Sequence, residues 1–82
     1  MAANKDDLVL WVRQAVQDFG GKASIVEVAE YIWKNHEPDL KASNIFYTWQ
    51  YDMRWAAQKL RDDKIFASAV SSPRELWQLA NN

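Results

Sequence analysis

Residues 47–61 read Tyr-Thr-Trp-Gln-Tyr-Asp-Met-Arg-Trp-Ala-Ala-Gln-Lys-Leu-Arg, and the spacing inside this stretch decides the fold. At roughly 100° per residue, Trp49, Met53, Ala56 and Leu60 fall on one side of a helix and form an apolar stripe that faces a core. The other side carries Tyr47, Gln50, Tyr51, Arg54, Gln58 and Arg61, long polar, basic and aromatic side chains without a carboxylate among them. Asp52 sits near the edge of the stripe and Asp62 and Asp63 in the last turn, so the acids of this helix are expected to avoid the exposed strip. Arginine offers a fork of donors that matches guanine or a phosphate, glutamine pairs bidentately with adenine, and tyrosine stacks or donates to phosphate. The strip has the chemistry to read a nucleic acid. It is also what a solvated helix face looks like, because every amphipathic helix is polar on one side.

Upstream of this helix, Leu8, Val12, Ala15 and Phe19 repeat at helical spacing with Trp11 and Val16 beside them, which predicts helix 1 over about residues 6–18 after a frayed start at residues 1–5. Asp6 and Asp7 suit the positive end of its dipole, and Gly20-Gly21 closes it, since glycine takes the left-handed conformation of a helix end. Ser24 followed by Glu27 is a capping box that starts helix 2. Ile25, Val28, Ala29 and Ile32 form its buried face and Glu27, Glu30 and Lys34 its wet one, with Tyr31 and Trp33 at the margin. Helix 2 is expected to stop near Asn35-His36, before Pro38, and Ser43 or Asn44 to cap the next helix after a short loop.

Downstream, residues 65–70 and 75–79 are two short apolar runs joined by Ser71-Ser72-Pro73-Arg74, which reads as a β-hairpin with a proline-containing turn. Three helices followed by a two-stranded hairpin is the order of a winged helix-turn-helix, a mainly α (α+β) fold in which helix 3 enters the major groove and the hairpin is the wing. Arg74, at the wing tip, is then placed for a phosphate or the minor groove.

The 82 residues are expected to form one domain, with an ordered core from about residue 6 to 80. The chain is 49% apolar with five tryptophans, enough for a packed core. It has no cysteine, which removes disulfides and thiolate chemistry. The apolar run at residues 8–12 is too short for a signal peptide or a membrane span, so a cytoplasmic protein is expected. A net charge of −1 counts against binding a polyanion, but residues 1–40 hold four Lys/Arg against seven Asp/Glu and residues 41–82 hold six against four. A basic half with an acidic back predicts modest, salt-sensitive affinity for double-stranded DNA.

Phe19-Gly20-Gly21-Lys22-Ala23-Ser24-Ile25, then Met53-Arg54-Trp55-Ala56 with Leu60, and finally Leu76-Trp77-Gln78-Leu79, resemble the N-terminal winged-helix domain of Mrr-type restriction endonucleases over about residues 8–79. The resemblance implies a prokaryotic DNA-binding module, with that role falling on Arg54 and its exposed neighbours, and with Trp55 packed under the wing. It carries no nuclease, because the family's cleavage domain lies outside the matching module. Arg74-Glu75 stand where the family usually has a glycine before its last strand, so the wing turn differs here.

Catalysis is not expected. His36 is the one histidine, and beside Glu37 and Asp39 it makes a poor metal ligand set; it reads as a surface or helix-capping residue. Ser24, Ser43, Ser68, Ser71 and Ser72 have no recognisable base, and the acidic pairs Asp6-Asp7 and Asp62-Asp63 diverge by about 100° on a helix. No cofactor, metal or small-molecule substrate is expected. The competing reading is a protein-interaction or homodimerisation module on the same scaffold, anchored by Trp33, Tyr47 or Tyr51, with Trp11, Trp49, Trp55 and Trp77 in the core.

Overall fold

Helix 1 begins where a cap lets it begin. In the computed structural model, which describes residues 4–68 and 76–80, α1 spans Lys5–Asp18 and is started by Asn4. The Asn4 side chain accepts from the backbone N–H groups of Asp6 (2.9 Å) and Asp7 (3.1 Å), and Asp7 Oδ2 accepts from Asn4 N–H (3.0 Å). Asn4 and Lys5, expected to be frayed, are therefore fixed by a reciprocal cap. The other end closes on the two glycines, at φ +87° and +100°. Gly20 N–H donates to the Gln17 carbonyl and Gly21 N–H to that of Val16, the paired bonds of a Schellman motif.

Residues Lys22–Ser24 then form β1, a strand the sequence reading passes over. Three residues with one apolar side chain carry no period of their own, and their pairing partner lies some fifty residues downstream. Ser24 is also the cap of α2, Ile25–Lys41: its Oγ accepts from Glu27 N–H (3.1 Å) while Glu27 Oε1 accepts from Ser24 N–H (2.9 Å), the capping box expected.

Pro38 does not end α2. The backbone leaves helical geometry at His36 (φ −132°, ψ 17°), and the helix resumes for one more turn to Lys41. In a straight helix Pro38 would deny Lys34's carbonyl its donor and collide with it. After a break at His36, Pro38 falls in the first turn of a new segment, where no N–H is needed. The expected stop at residues 35–36 is thus a kink. Ser43 does not cap α3 either: its hydroxyl donates to the Leu40 carbonyl (2.7 Å) and accepts from Ile45 N–H (3.3 Å), so it closes α2.

The third helix, α3, spans Trp49–Asp62, two residues later than expected at its start. It ends on a second Schellman pair, Lys64 N–H to Arg61 and Ile65 N–H to Leu60, with Lys64 at φ 64° where glycine is usual. Residues 65–67 then meet the end of the chain: Phe66 faces Leu79 in an isolated bridge, framed by Ala67 N–H to Gln78 (2.8 Å) and Ala80 N–H to Ile65 (2.9 Å). The strand β2, Leu76–Gln78, pairs antiparallel with β1 in the register Lys22↔Gln78, Ala23↔Trp77, Ser24↔Leu76. The observed two-stranded sheet is therefore β1 with β2. The expected hairpin of 65–70 with 75–79 is present at its base, and its turn lies outside the described residues.

Leu8, Val12, Ala15 and Val16 of α1, Val28, Ile32 and Leu40 of α2, and Trp49, Met53, Ala56, Ala57 and Leu60 of α3 converge on one core, which Ala23, Phe66 and Trp77 seal from the sheet side. Its most extensive packing is α1 against α3, which leaves α3 held from behind with one face in solvent. No described helix is long and apolar enough to cross a membrane.

Candidate nucleic-acid interface

The face of α3 turned from the core exposes Gln50, Tyr51, Arg54 and Gln58. Tyr51 is 77% exposed, which for an aromatic ring means that packing in this chain does not use it. Gln50, Arg54 and Gln58 stand four residues apart, so they form one row along the helix. Arg54 lines a small depression with Ser24, Ile25 and Val26, which brings the guanidinium side chain to the start of α2. The first N–H groups of a helix have no intrahelical partner and carry the positive end of its dipole. At α2 the capping box takes the Ser24 and Glu27 N–H groups and sets the Glu27 carboxylate at this end, so what remains to meet an anion beside Arg54 is the N–H groups of Ile25 and Val26.

Two of the expected strip residues are placed differently. Tyr47, 93% exposed, precedes α3 and belongs to the turn that enters it. Arg61 is half-buried, because four residues after the buried Ala57 it lies within about 40° of the core side. Its Nε is fully covered and has no hydrogen-bond partner among the described residues. Arg74 lies outside the described residues.

The expectation that the acids of this helix avoid the strip is corrected. Gln58 Nε2 donates to Asp62 Oδ1 at 3.0 Å, so a carboxylate closes the C-terminal end of the row and occupies the amide. Asp52 does stay aside, half-buried and accepting from Thr48 Oγ1 (2.8 Å). Trp55, which the resemblance packs under the wing, is half-buried against the core. Its ring lies beside the start of α1, with Lys5 Nζ 4.4 Å and Lys59 Nζ 5.7 Å from the ring centroid.

A second feature escapes the sequence reading. Trp33 of α2 and Trp49 of α3 lie parallel with centroids 6.0 Å apart, and Phe46 is 6.4 Å from Trp33 and edge-on to Tyr47 at 4.9 Å. These four rings line an open groove of about 620 Å³ together with Ala29, Glu30 and Gln50. The available signal was the cluster of Phe46, Tyr47 and Trp49 at the entry to a helix. What was missing was the contact to Trp33.

His36 is stacked on Trp11, ring centroids 3.8 Å apart and planes 7° from parallel, at the α2 kink. Burial lowers its pKa from the ordinary imidazole value, against the opposing pull of Asp39 and Asp7. It is a packed ring rather than a free surface group. Tyr31 donates to the Asp18 carboxylate, which ties α2 to the end of α1 and raises the phenol's pKa. Among the described residues no three His, Asp or Glu side chains gather to hold a metal ion.

Compared with known proteins, the chain matches no family model, no curated protein and no solved structure.

Proposed function

We propose that this chain is a winged-helix DNA-binding module without catalytic activity, in which α3 enters the major groove and residues 65–79 form the wing. The observation that carries this reading is the exposed row of Gln50, Arg54 and Gln58 on α3, flanked by Tyr51 and meeting the start of α2 at Arg54. A helix of 14 residues is about 21 Å long and fits a major groove about 12 Å wide. Arg54 takes a guanine edge or a phosphate, Gln50 a base edge, and Tyr51 a phosphate or sugar. Gln58 reads a base only by exchanging its bond to Asp62. The Ile25 and Val26 N–H groups, which the Ser24–Glu27 box does not use, supply backbone donors to the phosphate beside Arg54. The element order and the resemblance to the N-terminal domain of Mrr-type restriction endonucleases support the same reading.

The test is fluorescence-anisotropy binding to a random DNA duplex over a salt series, with wild type and Arg54→Ala side by side. Wild type is expected to weaken linearly in log salt. Arg54→Ala is expected to bind on the order of tenfold more weakly and, where Arg54 contacts a phosphate, with a slope smaller by about one. No binding at low salt, or identical binding by the variant, refutes the assignment.

A further inference from the structure

We infer that the aromatic groove between α2 and the turn into α3 is a second binding site, and that it takes a basic segment of a partner protein. One lysine or arginine side chain lies on the Trp33 ring and pairs with Glu30. This site is independent of the DNA reading.

Aromatic rings present electron-rich faces, so a groove walled by Trp33, Phe46, Tyr47 and Trp49 attracts a desolvated cation as well as apolar groups. Glu30 is the one formally charged side chain among the described residues that line it, and it has neither a hydrogen bond nor an ion pair among them. The groove runs past Trp33 and Glu30 into a second depression, where Glu27, Phe19 and Tyr31 continue the same acidic and aromatic lining, with Lys34 as the single cation. A polyanion brought here meets the Glu30 carboxylate and, in the adjoining depression, the capping Glu27; a basic peptide meets the Glu30 carboxylate and several ring faces. The chain itself shows that Trp33 accepts a cation: Lys41 Nζ, while paired to Glu37 at 2.7 Å, stands 5.8 Å from its ring centroid.

Tyr47 explains why the groove is a surface for a partner rather than an outlying part of the core. At 93% exposure its ring contributes little to folding, although it sits edge-on to Phe46 and completes the wall. The open groove, of about 620 Å³, has room for a few side chains of a partner laid across it. The groove also abuts the DNA face and shares Gln50 with it, but not Arg54. Gln50 lines the groove, whereas Arg54, one turn on, lines the depression at the start of α2. The two ligands therefore answer to different substitutions.

The experiment follows the five indole N–H signals by ¹H–¹⁵N NMR, assigned by single Trp→Phe replacements. Three probes are titrated: the peptide Ac-Gly-Leu-Lys-Arg-Leu-Gly-NH₂, the same peptide with glutamates for its two basic residues, and a short random DNA duplex. The basic peptide is expected to shift the Trp33 and Trp49 signals saturably while those of Trp11, Trp55 and Trp77 stay in place. Glu30→Gln and Tyr47→Ala, both at exposed positions that leave the core intact, are each expected to weaken it by about threefold to tenfold. Arg54→Ala leaves peptide binding unchanged. The proposal is overturned if the acidic peptide produces the same shifts, if Glu30→Gln has no effect, or if the basic peptide leaves Trp33 and Trp49 unmoved. It is overturned equally if the duplex moves those two signals and the peptide does not, which would make the groove part of the nucleic-acid face.

Discussion

Phe66 is the largest fully buried side chain, at 1% exposure, although it sits in a connecting segment and not in a helix. Its ring fills the core from the sheet side, and its neighbours make the hydrogen bonds Ala67 to Gln78 and Ala80 to Ile65. Phe66→Ala would remove a ring and open a cavity on the order of 100 Å³, which at about 24 cal/mol per Å³ contributes roughly 2.4 kcal/mol before the lost transfer free energy is added. The expected loss is about 3–5 kcal/mol, against a total stability of roughly 4–12 kcal/mol for a chain of this length. Urea unfolding followed by tryptophan fluorescence should show the midpoint moving far down, with Phe66→Leu losing less than about 1.5 kcal/mol. Hydrogen exchange adds a local readout, in which the amides of Ala67 and Ala80 lose protection before those of α1. A Phe66→Ala variant within about 1 kcal/mol of wild type, at an unchanged denaturant slope, would refute the argument that residues 65–67 plug the core.

The remaining predictions concern the end of α3 and the α2 kink. Lys64 holds a left-handed φ of 64° that glycine adopts without steric cost, so Lys64→Gly should stabilise by about 0.5–1 kcal/mol and raise the melting temperature; an unchanged or lower value would count against that backbone assignment. For His36, burial disfavours the charged ring, so its folded pKa lies below the unfolded value of about 6.5. The stability it confers is then complete above about pH 6.5 and is lost as pH falls from there towards the folded pKa. NMR titration of the ring protons should give a midpoint below that value, and His36→Asn should flatten the melting-temperature profile just below it. A midpoint at or above 6.5 would exclude burial as the dominant influence.

The helices and their ends were legible because the forces that make them are local. The apolar period of residues 49–60 repeats every three or four positions, and the Ser24–Glu27 box and the Gly20-Gly21 closure each involve residues within five positions of one another. Two local signals were available and went unused: Gln58 and Asp62 are spaced i,i+4 and bond, and Arg61 follows buried Ala57 by the same interval. The Asn4 cap was equally local.

What the sequence by itself determined is three amphipathic helices, the polar row on the third, and an apolar final strand, because hydrogen bonding within a helix and the period of its apolar side chains are written in neighbouring residues. The tertiary structure alone decided that Lys22–Ser24 is a strand paired with Leu76–Gln78, that Phe66 lies in the core, and that Trp33 meets Trp49 to build the groove. It also turned the expected stop near Asn35-His36, before Pro38, into a kink. Each of these depends on groups far apart in the chain, whose contact compensates for the backbone entropy of bringing them together only when the whole core closes around them.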